Sequence, residues 1–284
     1  MRILLTGANG MLGRDVMALL APRHQVLPYP REALDVTDPA AVREAFAAAR
    51  PDGVIHCAAF TDVDGAEKRR EEAFAVNALG ARHVAVAAQA AGARLVHVST
   101  DYVFDGASAE PYTEFDPPAP LNAYGASKLA GEEEVRVHAR RHFIVRSAWL
   151  YGAHGRNFVR TILGAARERD RLQVVDDQVG TPTWTRDLAG VLGTLIETEA
   201  YGTYHATAGG SCSWYAFTRE ILRLKGIATP VDPVTTDHYP RPARRPPHAV
   251  LHNRCLEALG VRMRAWEEAL AAFIGGTPEP APRG

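Results

Sequence analysis

Cysteine is sparse in this chain, lysine and asparagine are scarce, long apolar runs are missing, and neither sign of charge is in excess. The three cysteines, Cys57, Cys212 and Cys255, are odd in number, widely spaced and form no CxxC pair. Neither a disulfide framework nor a zinc site is expected from them, no metal is expected elsewhere, and a reducing cytoplasm is the expected setting. No uninterrupted apolar stretch reaches the roughly 18 residues that a bilayer crossing requires. A strand that starts at Arg2 leaves no room for a signal peptide before it. With 32 basic and 33 acidic residues the formal net charge is −1, so nothing electrostatic draws the chain to nucleic acid or to an anionic membrane. What is present is 46% hydrophobic residues in a chain of 284, enough for a substantial core and sized for one large α/β domain or a nucleotide domain with an appendage. The abundance of alanine, arginine, proline and glycine fits a GC-rich genome or a thermophile alike.

Short apolar runs alternate with helical patterns, the signature of βαβ units and a parallel sheet. Strands are expected at residues 2–6, 25–27, 53–57, 94–99 and 142–146, with helices at 10–20, 39–48, 63–91 in two pieces, and 122–139. Runs such as Val54-Ile55 and Leu95-Val96-His97-Val98 suit strands covered on both faces. The expected fold is α/β, a Rossmann-type doubly wound parallel sheet over residues 1–150. A smaller C-terminal α/β substrate lobe follows over 151–274, with room for chain crossings back to the sheet. Its helices are expected near 157–168, 186–197, 214–224 and 264–273, and its strands near 172–175 and 203–205. The proline-rich stretch 239–247 excludes regular helix or central strand, since proline lacks an N–H and fixes φ. Residues 275–284 read as a flexible tail.

In an open α/β sheet, ligands bind at the carboxyl ends of the strands, and the chemistry-bearing residues fall there. Directly after the first expected strand comes Thr6-Gly7-Ala8-Asn9-Gly10-Met11-Leu12-Gly13. Gly7, Gly10 and Gly13 form G-x-x-G-x-x-G, a tight turn that brings backbone to phosphate and opens a helix whose N–H groups, with Met11 and Leu12 in its first turn, face a pyrophosphate. The second strand runs out at Pro28-Tyr29-Pro30-Arg31-Glu32. A ribose 2′-hydroxyl calls for a carboxylate here and a 2′-phosphate for arginine; Arg31 tilts the reading toward NADPH and leaves NADH open. Asp35 and Val36 read either as adenine contacts or as the turn leading into the next helix.

Tyr124-Gly125-Ala126-Ser127-Lys128 places a phenol and an ammonium one helical turn apart on one face. A free phenol holds its proton to about pH 10. A cation within about 4–6 Å stabilises phenolate and makes Tyr124 a better acid toward a carbonyl oxygen. Lys128 also has the reach to hydrogen-bond ribose hydroxyls. A dinucleotide grip followed by this pair points to hydride chemistry with Tyr124 as proton donor.

Through these motifs the chain resembles the extended short-chain dehydrogenases/reductases, and among them the dTDP-4-dehydrorhamnose reductase family, over nearly its whole length. The resemblance runs through Ala58 to Glu67, Val76-Asn77, Ser99-Thr100-Asp101-Tyr102-Val103-Phe104-Asp105-Gly106, Pro120 to Gly125, Arg146 to Tyr151 and Asp177 to Thr183. It implies that Thr100 donates to the substrate carbonyl and tunes Tyr124, with Asp101 beside it at the substrate. It implies that Ala59, Phe60 and Thr61 line the cofactor, and that Val63 and Trp149 touch the sugar; core packing is the other reading of those two. Arg245, in Arg244-Arg245-Pro246, resembles the diphosphate-holding Arg-Pro-x-x-Ser element, although Ala249 stands in place of the serine and His248 in place of the preceding aromatic. Its alternative is a solvated arginine on a proline-rich loop. Asn157 and Gln178 are further expected contacts to the nucleotide. The acidic run Glu132-Glu133-Glu134 reads as a solvated helix face, and the family resemblance leaves a homodimer open.

The implied activity is NAD(P)H-dependent reduction of the C4 ketone of a nucleotide-linked keto-sugar, dTDP-4-dehydro-L-rhamnose, to dTDP-L-rhamnose. Related 4,6-dehydratases carry Thr-Asp-Glu where this chain has Thr100-Asp101-Tyr102, so the carboxylate base that elimination needs is missing. Two other readings remain: reduction of a different nucleotide-linked 4-keto sugar, and a non-catalytic dinucleotide-binding subunit resembling the regulatory partner of methionine adenosyltransferase. A pure binder has no need of the Thr100, Tyr124 and Lys128 set.

Overall fold

The computed structural model describes residues 1–276. In chain order its elements are β1 (Arg2–Thr6), α1 (Met11–Leu20), β2 (Gln25–Tyr29), α2 (Pro39–Ala49), β3 (Gly53–His56), α3 (Val63–Lys68), α4 (Arg70–Phe74), a π-helical turn (Ala75–Leu79), α5 (Gly80–Ala90) and β4 (Arg94–Thr100). A 3₁₀ turn (Asp101–Val103), α6 (Ala123–His138) and β5 (His142–Ser147) complete the first half. The second half runs β6 (Leu150–Tyr151), α7 (Phe158–Glu168), β7 (Leu172–Val175), β8 (Val179–Gly180), β9 (Thr183–Trp184), α8 (Thr185–Glu197) and β10 (Gly202–His205). It ends with β11 (Cys212–Ser213), α9 (Trp214–Lys225), β12 (Val231–Val234), α10 (Arg254–Ala258) and α11 (Trp266–Gly276). Among the described residues no helix is long and apolar enough to cross a membrane.

Six parallel strands make the main sheet, in the order β10-β5-β4-β3-β1-β2. The strand alternation explains why both faces are covered. Ile3, Leu5, Ile55, Val96, Phe143 and Val145 point to one side, where they meet Leu12, Val16 and Leu20 of α1 and Leu188, Leu192 and Leu195 of α8. Leu4, Val54, Leu95 and Ile144 point to the other, against α2, α5 and α6. Successive side chains of a strand leave opposite faces, so an unbroken apolar run serves both cores. The chain winds outward from β1 to β2 and then in the opposite direction to β3, which makes the β1/β3 boundary the switch point where an open α/β sheet binds its ligands. A third cluster, built on Tyr151, Val159, Phe217, Trp266 and Phe273, holds α7, α9 and α11 together outside the sheet.

Local chemistry sets the helix ends. Asp38 caps α2 by accepting from the N–H groups of Ala40 and Ala41, with Pro39 at the first helical position. Asn122 accepts from Gly125 N at 2.8 Å and opens α6, while the Glu67 carboxylate accepts from Ala123 N at 2.8 Å. Some boundaries differ from expectation. β2 extends to Tyr29, β3 stops at His56, and residues 63–90 divide into three α-helices around the π-helical turn. That turn carries Asn77 into the interior, where Oδ1 accepts from Phe60 N at 2.8 Å and Nδ2 donates to Phe60 O and to Ser127 Oγ. A widened turn changes the direction of its side chains, and no pattern in the sequence announces it. Helix α11 continues to Gly276; the rest of the expected flexible tail, 277–284, lies outside the described residues.

The acidic run requires a correction. Glu133 is exposed and Glu134 partly so, but Glu132 is fully buried, on the α6 face that carries Tyr124 and Lys128 at intervals of four residues. Its carboxylate is not solvated because Arg146 of β5 and Ser99 of β4 reach it from the sheet.

Helix α6 lies unusually close to its neighbours. A Cβ at Gly131 would stand 2.1 Å from Asn77 O, and one at Gly125 the same distance from Tyr102 O. Gly131→Ala is therefore expected to push α6 away from the π-helical turn and to lower the unfolding free energy by about 1–3 kcal/mol, the usual cost of overpacking. Denaturant melts of the two proteins measure this, and an unchanged midpoint would show that the helix has slack there.

Candidate active site

A cavity of about 710 Å³ follows the carboxyl edge of the sheet from the β1/β3 switch point to β5. At its switch-point end, Gly7 has φ +66, and a Cβ there would meet Ala58 N at 2.7 Å. A Cβ at Gly13 would meet Gly7 O at 2.4 Å. The turn is glycine-bound because two backbones meet with no room for a methyl group. Helix α1 begins after Gly10 with no side-chain cap and no acidic residue in its first turn. Its leading N–H groups therefore face the cavity, a ready cradle for a diphosphate. Gly7, Gly10, Met11, Leu12, Gly13, Arg31, Asp35, Val36, Ala59, Phe60 and Thr61 all line the cavity. Arg31 is exposed. Asp35 Oδ1 accepts from Thr37 N at 2.9 Å and from Thr37 Oγ1 at 2.8 Å, and these bonds hold its carboxyl below the usual range. Asp35 thus builds the turn ahead of α2 and lines the cavity as well. The residues present fit a dinucleotide.

At the other end, Tyr124, Lys128, Thr100 and Asp101 converge. Tyr124 is half-buried in the first turn of α6, its ring edge-on to Tyr102 with centroids 5.5 Å apart. Lys128 is buried, and its Nζ donates to Val98 O at 2.6 Å. Burial brings the ammonium down to about 8, against the pull of Glu132. The expectation that Lys128 lowers the tyrosine pKa is not what the structure shows. Burial pushes the Tyr124 phenol up to about 12, with a Thr100 hydrogen bond opposing and the Asp101 charge adding to the rise. Thr100 Oγ1 also stands 2.9 Å from Asp101 Oδ1; its single proton can serve either neighbour but not both. Asp101 is buried, its carboxyl pushed up to about 7 by desolvation, and its Oδ2 has no hydrogen-bond partner among the described residues.

The substrate-side expectations divide. Val63 and Trp149 line the cavity. Trp149 takes φ +47, a rare conformation for a bulky residue, and its indole lies parallel to that of Trp214, centroids 3.4 Å apart and 6° between planes. Gly180 leaves space for it, since a Cβ there would stand 2.5 Å from the Trp149 ring. Trp214 lines the cavity too and was not singled out from the sequence, where it reads only as the start of a helix. Three expected contacts are outside the lining. Asn157 caps α7 and donates to Gly152 O at 2.8 Å. Gln178 Nε2 donates to Thr236 Oγ1 at 2.9 Å. Arg245 forms a two-pronged ion pair with Asp64 of α3, both contacts 2.9 Å. Arg245 is therefore not a solvated loop arginine; it ties the proline-rich segment to the mouth of the cavity. Arg156, by contrast, lines the cavity without having been expected.

The family model described as RmlD substrate binding domain matches residues 1–277. The chain is 46% identical to a dTDP-4-dehydrorhamnose reductase of Streptomyces griseus over 99% of this chain and 98% of that one. It is 43% identical to a dTDP-4-keto-6-deoxy-D-glucose reductase of Streptomyces niveus over 95% of each. A crystal structure of dTDP-4-dehydrorhamnose reductase from Bacillus anthracis, in complex with NADP, superposes with a TM-score of 0.95 at 44% identity, covering 97% of this chain and 99% of that one. A glycine cradle at the switch point, the Tyr124 and Lys128 pair in the same cavity, and likeness over the full length agree: the chain belongs to the dTDP-4-dehydrorhamnose reductase family.

Proposed function

We propose that this chain reduces the C4 ketone of dTDP-4-dehydro-L-rhamnose to dTDP-L-rhamnose with NADPH or NADH. The observation that carries the reading is the meeting of a dinucleotide cradle with Tyr124, Lys128 and Thr100 in one cavity; the curated relatives of that name agree with it. The N–H groups at the start of α1 would hold the pyrophosphate, Arg31 would meet a 2′-phosphate, and Lys128 would reach the ribose hydroxyls. When bound, the reduced nicotinamide supplies two electrons and a hydrogen to the carbonyl carbon, and its ring leaves oxidised.

The remaining proton comes from this chain. With its phenol pushed up to about 12, Tyr124 is protonated throughout the neutral range and gives its proton to the oxygen, which becomes far more basic as the carbonyl is reduced. Thr100 turns its hydroxyl from Asp101 to the carbonyl oxygen, stabilising the charge that develops there. Asp101, with Oδ2 unpartnered, accepts from a sugar hydroxyl. Trp149, braced by Trp214, supplies an apolar wall for the deoxy-sugar, and Arg245 holds the diphosphate once it exchanges part of its pairing with Asp64. Reduction of dTDP-4-keto-6-deoxy-D-glucose is the second reading, favoured by the Streptomyces niveus relative.

Purified protein is expected to oxidise NADPH or NADH only when a dTDP-linked 4-keto sugar is supplied. Tyr124→Phe is expected to keep cofactor affinity and lose turnover by about 10²–10⁴-fold, the usual worth of a general acid. Product analysis separates the two sugars. Cofactor binding with no turnover on either sugar would leave a binding subunit as the better description, and wild-type turnover by Tyr124→Phe would transfer the proton to another donor.

Cofactor choice depends on Arg31 in this reading. Arg31→Ala is expected to weaken NADPH by roughly ten- to hundredfold, the value of one lost charge-assisted hydrogen bond, and to leave NADH nearly unchanged. Titration of both cofactors by nucleotide fluorescence tests this; equal losses would remove the reason for preferring NADPH.

A further inference from the structure

One helical turn beyond Lys128, Glu132 is wholly buried between α6 and the sheet. Its carboxylate accepts from Ser99 Oγ at 2.6 Å, from Arg146 Nε and Nη2 at 2.9 and 2.7 Å, and from Arg136 Nη2 at 2.8 Å. Arg146 is itself only 2% exposed, and Arg136 is partly exposed. The arrangement therefore seats two guanidinium groups, of Arg136 and Arg146, on one carboxylate, and Lys128, one turn back on the same helix face, is held by Val98 O next to the Ser99 that reaches Glu132. A lysine in an interior loses its charge readily unless an anion compensates the desolvation.

We propose that Glu132 is a positioning residue for the reduction: clamped to β4 and β5 by Ser99 and Arg146, its carboxylate keeps the Lys128 ammonium charged and aimed at the cavity. The inference rests on the reductase reading given above. The other groups around Lys128 cannot do this. Cys57, at the end of β3, is a thiol that burial holds up to about 12, hence neutral. His56 and His97, on neighbouring strands beneath it, are both depressed far enough by burial to be neutral. On the far side of Glu132, His205 of β10 is brought to about 3 and is neutral too. Glu132 remains ionised despite burial because Arg146, Ser99 and Arg136 stabilise the carboxylate. Removing its charge leaves Lys128 facing burial with no anion and two arginines close behind.

The sign follows from the charge. Glu132 stabilises protonated Lys128 and raises its pKa, so a neutral residue in its place lets the proton leave at lower pH. The alkaline limb of kcat/KM, set in this reading by loss of the Lys128 charge, is expected to move down by about one unit or more in Glu132→Gln, the scale of a lost close opposite charge. The limb of NADPH affinity should move with it, because ribose binding uses the same ammonium. Glu132→Asp, which keeps the charge, should restore most of the wild-type limb.

Because Glu132→Gln leaves Arg146 buried without its counter-ion and can impair folding, the pair Glu132→Gln/Arg146→Met is measured beside it. This variant should melt higher than the single one yet keep an alkaline limb below wild type. Full pH profiles for the dTDP-keto-sugar and for NADPH binding, taken on each variant with thermal melts, give the test. A loss of turnover that is equal at every pH, with both limbs unmoved, would overturn the proposal and leave Glu132 a structural anchor only. If the wild type itself fails to turn over the keto-sugar, the reductase reading falls instead, and the NADPH-binding limb alone decides for or against Glu132.

Discussion

The buried ion pair of Glu132 with Arg146 fixes the helix on which the chemistry depends. Helix α6 presents Tyr124, Lys128 and Glu132 along one face, and only the last of these is gripped by side chains of two strands at once. A buried pair of this kind repays its desolvation only when its geometry is good and its remaining lone pairs are satisfied. Here Ser99 and Arg136 take those positions. The same helix is drawn in from its other sides by backbone-to-glycine approaches at Gly125 and Gly131 and by the Asn77 bridge to Ser127. Asn77 also holds Phe60, so a segment that lines the cavity and the helix that carries the phenol share one anchor.

That rigid seat changes the electrostatics of the proposed proton donor. The spacing of Tyr124 and Lys128 suggests a phenol made more acidic by an adjacent cation. In the folded protein burial dominates both groups and moves them toward their neutral forms, the phenol upward and the ammonium downward. Lys128 donates to the Val98 carbonyl, which holds it without neutralising its charge. A fully protonated phenol remains a competent donor, since the oxygen of a reduced carbonyl is more basic than any phenolate. In the proposed reaction the site supplies a proton kept in place until that basicity develops.

Much of this was legible in the residues because it depends on short-range geometry. A strand, three glycines and a helix start can hardly be assembled otherwise, and positions four apart on a helix must share a face. The places of the first five strands along the chain and the gathering of the motifs at their carboxyl ends follow from the same rules. What escaped is longer in range. Glu132 reads as part of a charged run because its partners, Ser99 and Arg146, lie 33 and 14 residues away. Arg245 finds Asp64 across 181 residues, Trp214 stacks on Trp149 from far along the chain, and the π-helical turn at Ala75–Leu79 leaves no periodicity to detect. Asn157 and Gln178 carry the right chemistry for a nucleotide contact, yet a helix cap and a threonine already engage their amides.

The position after Asp101 shows how one residue narrows the chemistry of a shared scaffold. Elimination of water from a sugar needs a base on carbon as well as an acid on oxygen. Tyr102 holds that position with a phenol that burial, the Asp101 charge and Tyr124 all push upward, more strongly than Arg245 draws it down. It therefore keeps its proton at any physiological pH. Its ring is committed to the edge of Tyr124, and its carbonyl to the close approach of Gly125. A carboxylate substituted there would have to enter a pocket already desolvated enough to bring Asp101 up to about 7, where a second negative charge is costly. The packing that seats Tyr124, the proton donor of the proposed reaction, is thus the same packing that disfavours a base beside it, which favours adding hydrogen across a carbonyl over removing water next to one.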